Sequence, residues 1–414
     1  MLSVYFCAKL FIPLWRLTHQ RQIMKRLFFV GLLGLTLSAN TLFAQTDQQV
    51  WKGTWATAIE APLDPWDFPK ASLSNRSVRQ VIHVSLGGEK LRLMLSNEFS
   101  ATPVDIKSVY IANGDLDQID AKSAKYLTFN GKKNITLEAG KTIFCDELAY
   151  KLTPLQKLSI TVCYGERTPE KPTTHRGSRT TSYIMKGESK PKSAFVTEEK
   201  LDHWYSIGSL DVRTDADTRI IACLGNSITD GRGTTTNLQN RWTDFLADTY
   251  EGKVGVLNLG IGGNAVIEGG LAEPALKRFD RDILSQRGVK TLVIFEGVND
   301  IGWARDSEEK SKKLIEAYET LIEKARKAGM KVYMGTITPF KGNSYFTPWH
   351  ETARQVVNEW IRTTDKIDGV IDFDAEVRDP QDPQKLKAEY SDDWLHLNPK
   401  GYEAMGKYAA KILK

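Results

Sequence analysis

The sequence predicts an α/β chain in two parts: an all-β sandwich of jelly-roll type, followed by a three-layer α/β/α domain on a parallel sheet. Three observations carry this. At 414 residues the chain exceeds what one hydrophobic core usually serves, so two domains are expected. From Trp51 to about Phe195, short apolar or alternating runs recur between Gly, Asn, Asp and Pro, the pattern of many short strands. From Arg219 onward, near-continuous apolar runs alternate with helical periods, as parallel strands covered on both faces require.

Residues 1–44 are expected to be an upstream extension and an export signal. Met24-Lys25-Arg26 precedes the apolar run Leu27–Leu37, and Leu42-Phe43-Ala44 ends in a small residue, giving a basic region, an apolar region and a cleavage site. Translation is then expected to start at Met24 and the mature chain to be secreted or periplasmic; a retained signal anchor is the rival reading. The apolar run is short for a membrane span. The formal charge of +5 comes from this segment, whose five basic residues leave 51 basic against 51 acidic residues in the remainder. Nothing in that balance points to nucleic acid.

In the β-sandwich domain, 45–195, strands are expected at Val78–Ser85, Leu91–Ser96, Val104–Ala112, Lys125–Phe129, Ile135–Leu137, Thr142–Phe144 and Leu158–Cys163. Cys145 and Cys163 lie in two of these runs and can pair in an oxidising compartment. From Tyr164 the strand signal fades, and 196–218 reads as an extended connector. Its aromatic cluster, His203-Trp204-Tyr205, is costly to leave in water. The connector is therefore expected to pack on both domains.

The domain 219–414 opens on the strand Ile220–Leu224, with Val254–Leu259, Thr291–Phe295, Lys331–Ile337 and Val370–Phe373 to follow. Leu314, Ile315, Tyr318, Leu321, Ile322 and Ala325 recur at helical spacing in Ser307–Ala328, before Gly329. Thr352–Thr363 and Tyr402–Leu413 are the remaining helices. Cys223, inside the first strand, reads as a buried, inert thiol. No cysteine spacing suits a structural metal.

Four short signals occur in order: Gly225-Asn226-Ser227, Asn258 to Asn264 with Gly262-Gly263, Gly297-Val298-Asn299-Asp300, and Asp393-Trp394-Leu395-His396. The first three follow parallel strands, so their loops open on one edge of the sheet, where such sheets bind ligands. A serine hydroxyl needs an adjacent general base to act as a nucleophile. Of the six histidines, His19 falls in the leader, His83 and His175 in the β part, and His203 in the connector. Of the remaining two, His350 and His396, only His396 has a carboxylate three residues before it. Asp393 on one ring nitrogen fixes the tautomer and leaves the other nitrogen for Ser227. Gly263 can offer a backbone N–H, and Asn299 a side-chain amide, to the oxyanion of a tetrahedral intermediate. Taken singly, these are turns and helix caps; their order is what points to acyl transfer.

On these residues the segment from Arg219 to the C-terminus resembles the SGNH hydrolases, or GDSL esterases, whose four blocks supply Ser, Gly, Asn and His. The resemblance implies a flavodoxin-like three-layer domain and no cofactor. It implies Ser227, Asp393 and His396 as triad, with the N–H groups of Ser227 and Gly263 and the amide of Asn299 as oxyanion hole. Asn226 departs from the family name's Asp, and Thr229 excludes the Gly-x-Ser-x-Gly elbow of ordinary α/β-hydrolases. Trp51–Trp55, Ser74–Gln80 and Leu91–Phe99 are similar to the β-sandwich preceding the catalytic domain in secreted, xylan-esterase-like members. The expected function is a secreted serine esterase acting on acetyl or other short acyl esters of plant-type polysaccharides or oligosaccharides. The alternatives are a lipase or lysophospholipase of the same superfamily, or a glycan-binding protein with a silent site. Trp303 and Trp349 are candidate sugar-stacking residues. Of three roles for the β part, binding module, spacer or cleft wall, the apolar and aromatic residues of its tail and connector, Tyr183, Ile184, Met185, Phe195, Trp204, Tyr205 and Ile207 among them, predict a part docked rigidly on the other domain.

Overall fold

Strands follow one another along the chain from Gln49 to Asp215 in the structure, a computed structural model that describes residues 49–63, 69–70, 72–169 and 171–414. The expected leader, 1–44, lies outside the described residues. The first strands are β1 (Gln49–Ala56), β2 (Arg76–His83), β3 (Gly88–Ser96), β4 (Val104–Asp115), β5 (Gln118–Ile119), β6 (Lys125–Tyr126), β7 (Ile135–Leu137) and β8 (Thr142–Phe144). There follow β9 (Leu148–Leu152), β10 (Lys157–Tyr164), β11 (Thr174–His175), β12 (Ser182–Lys186), β13 (Glu199–Leu201), β14 (Trp204–Tyr205) and β15 (Ile207–Asp215). One sheet runs β1-β15-β3-β8 with β9 also on β3; a second runs β13-β12-β2-β10-β4-β5, with β6 and β7 also on β4. Alternate side chains of the long strands, among them Leu91, Leu93 and Leu95 of β3 and Val109 and Ile111 of β4, enter a shared buried cluster. Two sheets contributing to one core is what a sandwich requires.

The stretch 196–218 is not a connector. It holds three strands, and β15 lies between β1 and β3 within its sheet. Leu210 and Val212 are buried and alternate with Asp211 and Arg213, but the register shifts between Ile207 and Ser209. Gly208 there breaks the two-residue period that marks a strand. Arg92 of β3, paired in register with Asp211, forms an ion pair with it at 2.8 Å. Nor is the tail after Tyr164 loose: β12 pairs antiparallel with β2, Tyr183 opposite Arg79. Cys145, Cys163 and Cys223 are buried free thiols. Cys145 Sγ accepts from Leu93 N and Cys163 Sγ from Ser77 Oγ.

From Ile220 the sheet is parallel: β16 (Ile220–Gly225), β17 (Gly255–Gly260), β18 (Val289–Phe295), β19 (Lys331–Gly335) and β20 (Gly369–Ile371). Its order is β17-β16-β18-β19-β20, so the second strand lies on one side of β16 and the third on the other. That reversal is the switch point at which doubly wound sheets bind ligands. The helices are α1 (Ser227–Asp230), α2 (Trp242–Thr249), α3 (Ala275–Phe279), α4 (Val298–Gly302), α5 (Ser307–Lys327), α6 (Pro348–Thr363), α7 (Phe373–Val377) and α8 (Pro399–Ile412). They pack in two groups, α2 with α8 and α7, and α3 to α6 together. Asp306 caps α5 and Thr347 caps α6, each accepting a backbone N–H one turn in, and Pro348 and Pro399 stand in the first turns of α6 and α8.

Val50–Lys414 is one compact unit, and polar contacts bind its β and α/β parts. Gly53 N donates to Arg287 O at 3.0 Å, and Val256 N to Ser85 Oγ at 3.0 Å. His83 faces Asp244 at 3.4 Å and His175 faces Asp230 at 3.0 Å. Among the described residues no helix is long and apolar enough to cross a membrane.

Candidate active site

Ser227 is the first residue of α1, directly past the carboxyl end of β16. Asn226 takes the cap position, its Oδ1 accepting Ile228 N at 3.0 Å. An aspartate can accept the same N–H in such a turn, but the amide here also has donors to offer the buried Glu296 beside it. Ser227 Oγ lies 2.9 Å from His396 Nε2, and His396 Nδ1 lies 2.7 Å from Asp393 Oδ2. The other Asp393 oxygen accepts the N–H groups of Leu395 and His396 at 3.0 and 2.8 Å. Burial works against the Asp393 charge, but these bonds from His396 and Leu395 hold its carboxyl well below the usual range. The turn is tight, with Trp394 at φ 62°, and Ser391 Oγ clamps it by donating to His396 O at 2.6 Å. His350 lies elsewhere, its ring nitrogens 2.6 and 3.0 Å from the carbonyls of Tyr345 and Ala304.

Gly263 follows β17, with φ at 70°, a region that side chains other than glycine adopt at a cost. The N–H groups of Ser227 and Gly263 have no acceptor among the described residues. Asn299, in the first turn of α4, donates from Nδ2 to Asn264 O at 2.7 Å and accepts Tyr345 Oη at 3.0 Å. These two bonds settle which way the amide points and leave its second hydrogen unused. Burial pushes the Tyr345 hydroxyl up to about 12, so it stays a donor at neutral pH. Asp300 pins the neighbouring loop by accepting Val266 N and Ile267 N at 2.9 and 3.1 Å. Burial nevertheless raises it to about 6.

Beneath these loops Arg278, wholly buried, donates to Asn264 Oδ1, Leu259 O and Gly225 O at 2.9, 2.9 and 3.1 Å. It thereby ties the ends of β16 and β17 together. Glu296 is 3.6 Å from the same guanidinium, and burial pushes it up to about 8.

Ser227, His396, Gly263 and Asn299 line one cavity of about 250 Å³, together with Trp303, Tyr345, Leu271 and Leu395. Trp303 is 45% exposed there and meets the Tyr345 ring edge-on at 6.0 Å. Trp349, 70% exposed at the start of α6, is not among the lining residues. Its position in the first turn of α6 leaves it open to solvent outside this cavity.

The remaining wall carries no motif that a sequence reading could use. Arg176, Gly177 and Arg179 reach the cavity from the β part, and Arg232 from the loop after α1. Asp230, at the end of α1, is buried with one oxygen 3.0 Å from His175 Nε2 and the other 2.7 Å from Arg179 Nη2. A Cβ on Gly177 would stand 1.9 Å from that carboxylate, so only glycine permits the approach. The β part thus grips the short helix that begins with Ser227.

Residues 223–404 match the model of the GDSL-like lipase/acylhydrolase family. No curated protein matches the chain. Among solved structures, the chain is similar to a GDSL-like lipase from Bacteroides thetaiotaomicron at 18% identity, over 48% of this chain and 89% of that one, with a TM-score of 0.37. A carbohydrate acetylesterase family member from Sinorhizobium meliloti is 16% identical, over 47% and 96%, with a TM-score of 0.38. A member of the lipolytic G-D-S-L family from Veillonella parvula is 22% identical, over 47% and 97%, with a TM-score of 0.34.

Proposed function

We propose that this chain, whose residues 223–404 match the GDSL-like lipase/acylhydrolase family, is an exported serine esterase that removes acetyl or similarly short acyl groups from plant-type polysaccharides or oligosaccharides. The observation that carries the reading is the hydrogen-bonded series Ser227–His396–Asp393, at a cavity that two unengaged N–H groups and the Asn299 amide also face.

Ser227 Oγ attacks the acyl carbon as its proton passes to His396 Nε2. Asp393 holds the imidazole by Nδ1 and stabilises the imidazolium. The oxyanion that forms is met by the N–H groups of Ser227 and Gly263 and by Asn299 Nδ2, preset donors each typically worth about a hundred- to a thousandfold in rate. His396 returns the proton to the leaving sugar oxygen as the C–O bond breaks, leaving the acyl group on Ser227. Water, deprotonated by His396, then repeats the attack and frees the acid. The cycle balances with water as its one co-reactant.

The acyl chain is taken as short because the cavity, at about 250 Å³, lies below the roughly 300–1,000 Å³ of sites for drug-sized ligands, and its lining includes three arginines. The test is a chain-length profile on 4-nitrophenyl acetate, butyrate and palmitate, repeated on acetylated xylan and pectin. Acetate is expected to turn over fastest. Fastest turnover of palmitate points to the lipase-type reading, and no turnover of any ester to a silent, glycan-binding site.

A further inference from the structure

The charge lining the cavity is one-sided. Three guanidinium groups, of Arg176, Arg179 and Arg232, face it against one carboxylate, Asp230. Both oxygens of Asp230 are engaged, by His175 and Arg179. Arg176 is held by Glu60 through Nε and Nη2 at 3.0 and 2.8 Å. Asp393 is turned to the far nitrogen of His396. That leaves Arg232, whose guanidinium has no hydrogen bond or ion pair among the described residues.

Its backbone is fixed all the same. Arg232 N donates to Ser227 O at 2.8 Å, and Arg232 O accepts Tyr402 Oη at 2.6 Å. A long cationic side chain on a backbone tied to the nucleophile's own carbonyl is placed to read a charge on the substrate, and a planar guanidinium suits a carboxylate in two-point contact.

We propose that Arg232 selects esters that carry a carboxylate near the scissile bond, foremost acyl esters of uronic-acid sugars. This rests on the esterase reading above and names its substrate class. The carboxylate can sit on the sugar or on the acyl group, and the two sources are separable.

In the first arm, kcat/KM is compared for acetylated oligogalacturonides and acetylated neutral xylo-oligosaccharides; in the second, for the 4-nitrophenyl esters of succinate and butyrate. The expected result is a preference for the anionic member of the first pair. In Arg232→Gln that preference falls about 10- to 100-fold, the worth of one charge-assisted hydrogen bond, through KM more than kcat. Arg232→Lys keeps part of it, and added salt erodes it. A preference confined to the second pair, and lost in Arg232→Gln, supports the anion site and assigns the carboxylate to the acyl group. No preference in either pair, or one that survives Arg232→Gln, overturns the proposal. Should no ester turn over, the esterase reading fails separately. Calorimetric titration of Ser227→Ala with oligogalacturonide and with xylo-oligosaccharide, with and without Arg232→Gln, still decides: equal affinity for the two sugars overturns the anion site.

Discussion

Ser227 and His396 act as one unit if the proposed mechanism holds. Ser227→Ala and His396→Ala should each lower kcat by about four to six orders of magnitude, and the double variant should be scarcely worse. Losses that multiply in the double variant contradict a shared step. Gly263→Ala tests the oxyanion donor: its φ of 70° disfavours a side chain, and the new Cβ would meet Leu271 at 2.7 Å. It should cut kcat by about a hundredfold or more while KM stays near its starting value. A loss expressed in KM alone would place Gly263 in ground-state binding instead. The five residues of the series and its oxyanion donors were legible because each stands where a strand or helix ends, a position the apolar runs mark. Arg232, Tyr345 and Arg278 were not, since a side chain that works by reaching across a cavity leaves no periodic trace.

Between single residues and the whole lie the contacts of β2 with α2 and of β11 with α1, each a histidine set against an aspartate. Burial opposes the charge on His83 and His175, but Asp244 and Asp230 override it and raise both. A raised histidine stabilises the fold fully below its ordinary value of about 6.5, and the gain is lost as pH climbs through the raised value. Burial likewise opposes the aspartate charges, yet Arg241 beside Asp244 and Arg179 beside Asp230 win, with Asp244 lowered to about 2. Their contribution is whole above the ordinary value of about 3.9 and fades in strong acid. The melting temperature should therefore peak between about pH 4 and 6.5 and decline on the alkaline side. His83→Gln and His175→Gln should each flatten that decline, as a calorimetric series from pH 5 to 9 would read. At the same junction Gly177→Ala should cost about 1–3 kcal/mol by overpacking. It should also lower kcat, because the displaced Asp230 belongs to the helix that starts with Ser227. Full activity in a Gly177→Ala enzyme of reduced stability would separate the two effects and refute the link. The parallel strands were readable here as unbroken apolar runs, whereas β15 was hidden by Gly208, which shifts its alternation out of phase.

For the molecule as a whole, the β part serves as a wall of the site in the proposed enzyme. A fragment of residues 215–414 loses Arg176, Gly177 and Arg179 from the cavity and strips Asp230 and Asp244 of their histidine partners. Asp244 keeps Arg241 at 3.1 Å, but the fragment bares the apolar side chains that share one cluster with the β part, at about 25 cal/mol per Å² exposed. The fragment is expected to aggregate or to lose activity; a soluble, folded and fully active fragment sinks this account. A chain of this length predicts two cores, yet its buried side chains join in a single cluster. The division into β and α/β classes was plain in the spacing of apolar residues. That the two parts are pressed together was foreshadowed by aromatic residues such as Trp204 and Tyr205, costly to leave in water; the polar contacts that also join them, isolated along the sequence, were not legible.

The place of β15 also sets an order of assembly. It is the last strand of the β part to be synthesised, but it lies inside its sheet, with β1 joined to β3 only across it. Until residue 215 has left the ribosome, β1 and β3 each present an unpaired edge, the template on which chains pair wrongly with one another. The first strand of the parallel sheet begins at Ile220, so the β part can close only when its neighbour is already emerging. Ribosomes stalled between residues 165 and 206 should hold nascent chains that stick to one another. A route that hands over the chain unfolded and entire spares it that interval.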